Sequence, residues 1–279
     1  MEEPLTMCCK VNKGEINPEA VGSMKVETIN ERIGIPFDES KTLYPVMEIF
    51  TSIQGEGAMM GIPVDFIRFS GCNLACPWCD TKESWVKPCR HEHIDYADIN
   101  EMRAKDMYCK DCHVSGTRSE LKELKVTNGK YTWMTAEDIA AKCTRAVVVL
   151  TGGEPCLYDL EPLILELHTA QKFVCIETNG TLETPESIDW VVASPKPPEY
   201  AINAKCFFNE LKYVVDDNFD VDCVPPENKK VCGTVWLQPC DYGKQDPKTA
   251  ASAQRCVDLA LSTSYLRVGI QLHKILAIK

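Results

Sequence analysis

The chain has 279 residues, of which 30 are basic and 41 acidic, and its net charge is −11 at pH 7. This length fits one α/β domain with an insertion, or two small domains. The negative charge argues against binding to nucleic acid or to an anionic membrane, because both attract a positive protein surface. We find neither an apolar run long enough to span a membrane nor a secretion signal, and we therefore expect a cytoplasmic protein.

The chain contains 16 cysteines. Without a secretion signal they do not indicate a disulfide framework. Cys143, Cys175 and Cys256 fall within helix-like or strand-like runs. We expect these three to be buried thiols that pack as small apolar side chains.

Residues 1–44 are polar, and three prolines interrupt any long helix. We interpret them as an N-terminal extension of a core domain over residues 45–279. A short apolar run then leads into Gln54, Gly55 and Glu56. Glycine lets the backbone approach a ligand closely, and the carboxylate can accept hydrogen bonds from ring nitrogens. A glycine turn with an exposed glutamate is the simpler alternative for this segment.

The run from Val64 to Phe69 is mostly apolar and predicts a buried strand that contains Arg68. A buried arginine needs an anion nearby. Arg68 therefore forms either a structural ion pair or a contact with a ligand, and the residues alone leave both interpretations open.

Three cysteines follow this strand in a CxxxCxxC pattern: Cys72, Cys76 and Cys79. Three thiolates on one loop can hold three irons of a four-iron cluster and leave the fourth iron open to a cofactor or substrate. A structural zinc site is the alternative, but a fourth Cys or His usually closes such a site, and none follows at once. The spacing favours the iron–sulfur cluster.

The segment from about residue 85 to 134 is charged and has no sustained hydrophobic period, and we interpret it as an insertion. Its cysteines and histidines could form a zinc site or hold a second cluster, while free thiols and solvated imidazoles are the default. These residues are Cys89, His91, His93, Cys109, Cys112 and His113.

From Thr135 onwards, strand-like and helix-like segments alternate. Thr135 and Asp138 form a capping box at the start of a helix. Further helices are predicted over LYDLEPLILELHTA and from about Asp246 to Ala260, and strands over AVVVL, FVCIE, DWVVA, ELKYVV, TVWLQP and LRVGIQLHK. Most strands end in a polar or glycine-rich signature, and in parallel βα folds the ligand site forms at these carboxyl ends. Fewer than eight βα units predict an α/β fold with an incomplete barrel.

The chain resembles the radical S-adenosylmethionine (radical SAM) superfamily and, within it, the 7-carboxy-7-deazaguanine synthase family. The strings that carry the resemblance are SIQGEG, IRFSGCNLACPWCDT, TGGEP, ETNGT, SPK, WLQP and QLHK, within residues 45–84 and 135–279. The resemblance implies an incomplete (β/α) TIM-like barrel of the radical SAM type. It also implies a carbon–nitrogen lyase of queuosine biosynthesis, which contracts the ring of 6-carboxy-5,6,7,8-tetrahydropterin to 7-carboxy-7-deazaguanine with loss of ammonia.

The resemblance implies three cofactors: a 4Fe–4S cluster on the three cysteines, S-adenosylmethionine, and Mg²⁺ on the hydroxyl of Thr81. The residues that it places around S-adenosylmethionine are Trp78, Asp80, Gly153, Glu154, Asn179, Ser194, Pro195 and Lys196.

For the pterin, the resemblance implies Arg68 on the carboxylate and a terminal carboxylate contact from Lys279. The other residues that it places around the pterin are Ile53, Gln54, Gly55, Glu56, Thr151, Gln238 and His273. Glu56, Arg68 and His273 are the expected catalytic residues.

Two alternatives stay open. A glycyl-radical-enzyme activase shares the radical SAM core but takes its hydrogen atom from a partner protein. A non-catalytic iron–sulfur or zinc interaction module would be organised by the insertion. For the synthase, the resemblance implies a flavodoxin- or ferredoxin-type reductant and a homodimer.

Overall fold

The computed structural model describes residues 42–74, 76, 78–85, 107–108, 115–116, 131–230, 234–243 and 245–279. The cysteines and histidines singled out in the predicted insertion lie outside the described residues, as do residues 1–41 of the predicted extension. Within the described ranges, no helix is both long and apolar enough to cross a membrane.

The strands are, in chain order, β1 (Leu43–Ile53), β2 (Pro63–Phe69), β3 (Met107–Tyr108), β4 (Ser115–Gly116), β5 (Thr132–Thr135), β6 (Val147–Gly152), β7 (Phe173–Thr178), β8 (Trp190–Ala193), β9 (Glu210–Val215), β10 (Val235–Pro239) and β11 (Leu266–Val268). The short strands β3 and β4 pair with each other, and the other nine form one sheet. The first strand begins at Leu43, two residues before the predicted start of the core at residue 45.

The sheet has the order β11-β10-β9-β8-β7-β6-β2-β1-β5. From β2 to β11 all neighbouring strands are parallel, whereas β1 is antiparallel to both β2 and β5. This is an open sheet of parallel strands with an antiparallel edge, which confirms the predicted incomplete α/β barrel.

The α-helices of the described residues are α1 (Ala136–Ala140), α2 (Glu161–Thr169), α3 (Pro247–Ser262) and α4 (Leu272–Leu276). Short 3-10 helices cover Lys82–Trp85, Pro155–Leu157, Val221–Cys223 and Asn228–Lys230. The predicted cap at Thr135 is confirmed, since its hydroxyl accepts from the backbone N–H of Asp138. At the start of α3, the side chain of Asp246 accepts from the backbone N–H of Lys248.

The predicted strand over LRVGIQLHK was wrong in its second half. The strand stops at Val268, and the QLHK segment leads into α4. The N–H of Gly269 donates to the carbonyl of Leu237 (2.8 Å), and the N–H of Leu272 donates to the carbonyl of Gly55 (3.0 Å). The chain therefore leaves the sheet edge and turns towards the segment that follows β1.

Side chains alternate across the sheet, as expected for strands. On the outer face, Ile67 and Leu150 pack in one core cluster with Leu163 and Leu167 of α2. Leu211, Tyr213 and Val235 share a second core with Cys256 of α3. The expected burial of Cys143, Cys175 and Cys256 is confirmed, and all three thiols are free.

The inner face of the sheet begins with an apolar layer of Val64, Val149 and Cys175. Two residues further along their strands, Phe66, Thr151 and Glu177 face a cavity. The interior thus changes from apolar to polar toward the carboxyl ends of the strands, where the sequence places the ligand site.

Candidate active site

A cavity of about 810 Å³ lies at the carboxyl ends of the parallel strands. It brings together residues from nearly the whole described chain. The predicted site residues that line it are Ile53, Gln54, Gly55, Glu56, Arg68, Cys72, Cys76, Trp78, Cys79, Asp80, Thr81, Thr151, Gly153, Asn179, Ser194, Lys196, Gln238, His273 and Lys279. Two predicted cofactor contacts, Glu154 and Pro195, lie outside this lining.

The loop after β2 carries the three cysteines at one side of the cavity. It is held by a hydrogen bond from the N–H of Cys79 to the carbonyl of Cys76 (3.0 Å), and the N–H of Leu74 points at the sulfur of Cys72 (3.4 Å). Burial raises the pKa of Cys72 to about 11 and also raises that of Cys76. Iron binding must therefore displace protons from these thiols.

The donor set of this loop fits a four-iron cluster better than a single ion. In the described part of the chain, no three His, Cys, Asp or Glu side chains converge as ligands of one metal ion. Each thiolate of a four-iron cluster binds a different iron. The ligands of such a cluster therefore lie farther apart than the ligands of one zinc ion. All three thiols are half-buried and open to the cavity.

Two glycines at the end of β6 support the cysteine loop. Gly152 has a φ of +121°, a left-handed conformation that favours glycine. A Cβ on Gly153 would lie 1.9 Å from the carbonyl oxygen of Gly71. The N–H of Gly153 donates to the carbonyl of Phe69 (3.0 Å) and that of Glu154 to the carbonyl of Gly71 (2.8 Å), so backbone contacts join the two strand ends.

Glu154 is fully buried in the wall between the ends of β6 and β7. Its carboxylate accepts hydrogen bonds from the N–H of Cys156 (3.0 Å), the hydroxyl of Thr178 (2.7 Å) and the N–H of Asn179 (2.6 Å). Burial raises its pKa, although these hydrogen bonds oppose the shift. In this arrangement the carboxylate connects two loops of the site.

The wall beside the cysteine loop is built around Trp78. Its indole N–H donates to Asp216 (3.1 Å), and the Lys196 ammonium lies 5.4 Å from the centre of its ring. Lys196 also donates to the hydroxyl of Ser194 (2.5 Å). Burial and the nearby charge of Lys212 lower the pKa of Lys196 to about 8.

Arg68 lies opposite Glu48 on the neighbouring strand β1, and its side chain is 23% exposed. Its Nε donates to Glu48 (2.9 Å) and its Nη1 to the hydroxyl of Thr81 (3.1 Å). Glu48 also pairs with the ammonium of Lys279. Burial disfavours the ionised form of Glu48, but Lys279 and Arg68 outweigh it and lower its pKa. Arg68 thus has a structural ion pair and also faces the cavity.

Lys212 of β9 forms the charged centre of the opposite side. Its ammonium lies 2.5 Å from Glu56 and 3.2 Å from Glu177. Burial alone would lower the pKa of Lys212, but the two carboxylates raise it well above its usual value. Gln271 donates to Glu56 (2.9 Å) and Gln54 donates to Glu177 (3.1 Å). Glu56, Glu177 and Lys212 are therefore held together by two ion pairs and by hydrogen bonds from Gln271 and Gln54.

Sequence reasoning missed four charged groups of this site: Glu48, Glu177, Lys212 and Asp216. Each lies in or directly beside a strand. For Lys212 and Asp216, the available signal was the alternation in ELKYVVD, where every second residue from Glu210 is polar except Val214, which lines the cavity.

The remaining predicted residues close the cavity from the C-terminal end of the chain. A Cβ on Gly55 would lie 2.5 Å from Nδ1 of His273, so the glycine allows α4 to approach. The backbone oxygen of Lys279 accepts from the hydroxyl of Ser52 (2.5 Å). These contacts bring His273 and Lys279 to the cavity edge.

Residues 66–220 match the family model described as the Radical SAM superfamily. A 7-carboxy-7-deazaguanine synthase of Synechocystis is 32% identical, covering 88% of this chain and 98% of the relative. One from Bacteroides thetaiotaomicron is 34% identical, covering 84% and 98%. The crystal structure of QueE from Escherichia coli superposes with a TM-score of 0.58 at 27% identity, covering 83% of this chain and 95% of that one.

Proposed function

The chain belongs to the radical SAM superfamily and, within it, to the 7-carboxy-7-deazaguanine synthase family, and from this premise we propose how its cavity works. It is a radical SAM enzyme whose cofactors are a 4Fe–4S cluster and S-adenosylmethionine. We propose that it converts 6-carboxy-5,6,7,8-tetrahydropterin to 7-carboxy-7-deazaguanine with loss of ammonia. One observation carries this proposal: a single cavity joins the cysteine loop to a separate set of charged residues suited to a small heterocyclic acid.

The cysteine loop and the wall around Trp78 form the cofactor half. Cys72, Cys76 and Cys79 would hold the cluster, and the cluster and S-adenosylmethionine would supply the radical chemistry that removes a hydrogen atom from C6 of the pterin. Lys196 and Ser194 present an ammonium and a hydroxyl to the polar groups of the cofactor. The backbone at Gly153 and the side chain of Asn179 complete this half.

Arg68 and Glu56 define the two ends of the substrate half. The guanidinium of Arg68 binds the substrate carboxylate, because its planar N–H groups match two carboxylate oxygens. Glu56 accepts hydrogen bonds from N–H donors of the pterin ring. Thr151, Gln238 and His273 lie around the space between them. Fixing both ends of the substrate directs C6 toward the cofactor half.

We also propose a Mg²⁺ site at Thr81. Its hydroxyl lies 3.1 Å from a carboxylate oxygen of Asp80 and 3.1 Å from the guanidinium of Arg68. Hard oxygen ligands of this kind suit Mg²⁺, which keeps most of its other positions for water and substrate oxygens. The ion would then meet the carboxylate that Arg68 binds.

Three further proposals rest on family membership. The protein acts in the cytoplasm as a homodimer, and it receives electrons from a flavodoxin- or ferredoxin-type protein. The division into an extension over residues 1–44, a core over 45–279 and an insertion at about 85–134 is likewise proposed.

Metal analysis of a variant lacking residues 86–132 tests whether the insertion binds metal, since the variant keeps all three cysteines of the loop.

The reaction is tested with anaerobically reconstituted protein, dithionite, S-adenosylmethionine, Mg²⁺ and the carboxytetrahydropterin. We expect 7-carboxy-7-deazaguanine by mass spectrometry, and neither product nor bound four-iron cluster in Cys76→Ala. Cofactor cleavage without any deazaguanine product would instead favour an activase of a glycyl-radical enzyme. Zinc in place of iron would favour the interaction module.

A further inference from the structure

We propose that Lys212 is a positioning residue that holds Glu56 and Glu177 as a pair of hydrogen-bond acceptors for the pterin, and so sets the preference for a 2-amino-4-oxo ring. The inference rests on the proposed function and extends it to Lys212 of β9, whose side chain pairs with Glu56 and Glu177. In this arrangement, substrate specificity arises at the end of the cavity opposite the carboxylate site.

The geometry shows how Lys212 couples the two carboxylates. Its ammonium has three N–H donors, and the contacts to Glu56 (2.5 Å) and Glu177 (3.2 Å) use two of them. Only 11% of the Lys212 side chain is exposed. These two acids come from the segment after β1 and from β7, so no local turn holds them together. The side chain of Gln54 also links the two segments, since it donates to Glu177 (3.1 Å) and accepts from the backbone N–H of Glu56 (3.3 Å). Among the described residues, Lys212 is the one whose side chain contacts both carboxylates.

Both carboxylates keep room for ligand donors. Glu56 accepts one hydrogen bond on each oxygen, from Lys212 and Gln271, and Glu177 does the same with Lys212 and Gln54. A carboxylate has about four acceptor positions, so roughly half of them are left for a ligand in the cavity. The pterin offers adjacent donors at N3–H and at its 2-amino group, which match the two oxygens of a carboxylate.

The cation also decides the charge state of the pair. Burial raises the pKa of Glu56, but the ammonium of Lys212 outweighs this and lowers the pKa, so loss of the cation favours proton uptake by Glu56. A protonated carboxyl presents a donor where the pterin also presents one. Lys212 therefore keeps both groups as acceptors, and its removal should affect the donor edge of the ring more than the substrate carboxylate.

The backbone of β9 contributes to the position of Lys212. Its carbonyl accepts from the Ser194 hydroxyl (2.8 Å), and the strand alternation turns its side chain inward together with those of Glu210 and Val214. Glu210 accepts from the N–H of Ala58 (2.8 Å) and so fixes the segment that carries Glu56. The strand β9 thus aligns the ammonium with its two partners.

The test uses anaerobically reconstituted protein and two fluorescent probes. 6-Carboxypterin has the 2-amino-4-oxo edge, and 6-carboxylumazine replaces the 2-amino donor by an oxygen while keeping the carboxylate. We expect wild type to prefer 6-carboxypterin. Lys212→Met should bind this probe at least about tenfold more weakly, because a charge-assisted hydrogen bond between the pterin donors and a carboxylate is lost. Binding of 6-carboxylumazine should change far less, so the preference falls.

Two variants serve as comparisons. Lys212→Arg keeps the charge and reaches two carboxylates, so it should restore most of the preference for 6-carboxypterin. Lys205→Met makes the same change at an exposed lysine that pairs with Glu183, and should bind both probes like wild type. Iron content should be unchanged in all three variants, and dithionite-driven cleavage of S-adenosylmethionine should be unchanged in Lys205→Met.

An unchanged probe preference in Lys212→Met, or an equal loss for both probes, would overturn the inference, as would loss of iron in a folded variant. If Lys212→Met does not fold, Glu177→Gln carries the test, because it removes one charge of the pair at nearly constant volume. Glu177→Gln should lower the preference, and an unchanged preference would refute the proposal. If wild type binds neither probe, the proposed pterin function itself fails.

Discussion

Replacing Arg68 by alanine separates the two roles that the sequence left open for this residue. The guanidinium pairs with Glu48 and touches Thr81, and its side chain is 23% exposed at the cavity. A purely structural arginine would matter for folding and iron binding. An arginine that binds the substrate carboxylate would matter for ligand affinity.

The structure predicts a small effect on stability. After Arg68→Ala, Glu48 keeps the ammonium of Lys279 as its partner, so no carboxylate is left unpaired. Partly exposed ion pairs contribute at most about 1 kcal/mol. The cation–π contact with Phe50, at 5.7 Å from the ring centre, contributes about 0.5–1 kcal/mol. We expect the free energy of unfolding to fall by about 1–2 kcal/mol.

The predicted effect on binding is larger. A hydrogen bond between charged groups contributes about 1.5–3 kcal/mol, which corresponds to roughly a ten- to hundredfold change in affinity. Anaerobic fluorescence titration with 6-carboxypterin measures this change. Arg68→Lys keeps a charge but not the planar fork, so its loss should be intermediate. Arg145→Ala, at an exposed position outside the cavity, is the matched control.

Two results would refute this reasoning. Loss of bound iron from a folded Arg68→Ala variant would show that the arginine supports the cysteine loop. Unchanged affinity for 6-carboxypterin would show that another group binds the carboxylate.

Three other substitutions test how the site is supported. Gly153→Ala places a Cβ 1.9 Å from the carbonyl oxygen of Gly71, so the cysteine loop must shift and most of the reconstituted iron should be lost. Asp216→Ala removes the acceptor of the Trp78 indole N–H, and equilibrium binding should show several-fold weaker affinity for S-adenosylmethionine at unchanged iron content. Asp65→Asn should lower the free energy of unfolding by about 1–3 kcal/mol near neutral pH. Burial raises the pKa of Asp65, but hydrogen bonds to its carboxylate outweigh burial and lower the pKa below the usual value of 3.8. The loss of unfolding free energy in Asp65→Asn, measured by urea unfolding, should therefore shrink as the pH falls below 3.8.

Each substitution has a comparison that isolates its cause. Gly61 has a φ of +94° and no atom within 4 Å of an added Cβ, so Gly61→Ala strains the backbone without a clash and should retain iron. Asp258→Ala, at an exposed position of α3, should leave the affinity for S-adenosylmethionine unchanged. Full iron in Gly153→Ala, or an Asp65→Asn penalty that is constant through the acid range, would contradict the reasoning.

The sequence predicted which residues share the cavity where these are neighbours in the chain or lie at the ends of parallel strands. The cysteines follow β2 directly, and Thr151, Asn179 and Ser194 lie at or just after the ends of successive strands. Since the carboxyl ends of parallel strands converge, local strings were enough to bring these residues to one cavity.

Partners that lie far apart in the chain could not be predicted in the same way. Glu56 and Lys212 are 156 residues apart. In the sequence alone, Glu56 is typical of an exposed turn, and Lys212 is typical of a charged residue near the boundary of a strand. Only the sheet order places β9 so that its inward lysine meets the segment after β1. The same holds for Asp216 and Trp78, which are 138 residues apart.

The error over QLHK has a different cause. LRVGIQLHK alternates like a strand, and strand propensity alone would continue it. In the structure the oxygen of the Gln238 side chain lies 2.8 Å from where a Cβ of Gly269 would be, so the chain passes close to β10 there and then departs. The N–H of Leu272 finds its acceptor at Gly55 instead of in the sheet. A tertiary contact therefore overrides the local pattern.

The layered interior explains how a fold can hold Lys212 and two carboxylates near its centre. Buried charges cost free energy unless they are paired and hydrogen-bonded, and here each carboxylate has both a cation and an amide donor. Val64, Val149 and Cys175 form the apolar layer beneath them, where water would otherwise weaken these contacts. The apolar side chains directly below the polar groups thus stabilise this part of the fold. Substitutions in the apolar layer should consequently affect unfolding first, whereas Lys212 should affect ligand choice first.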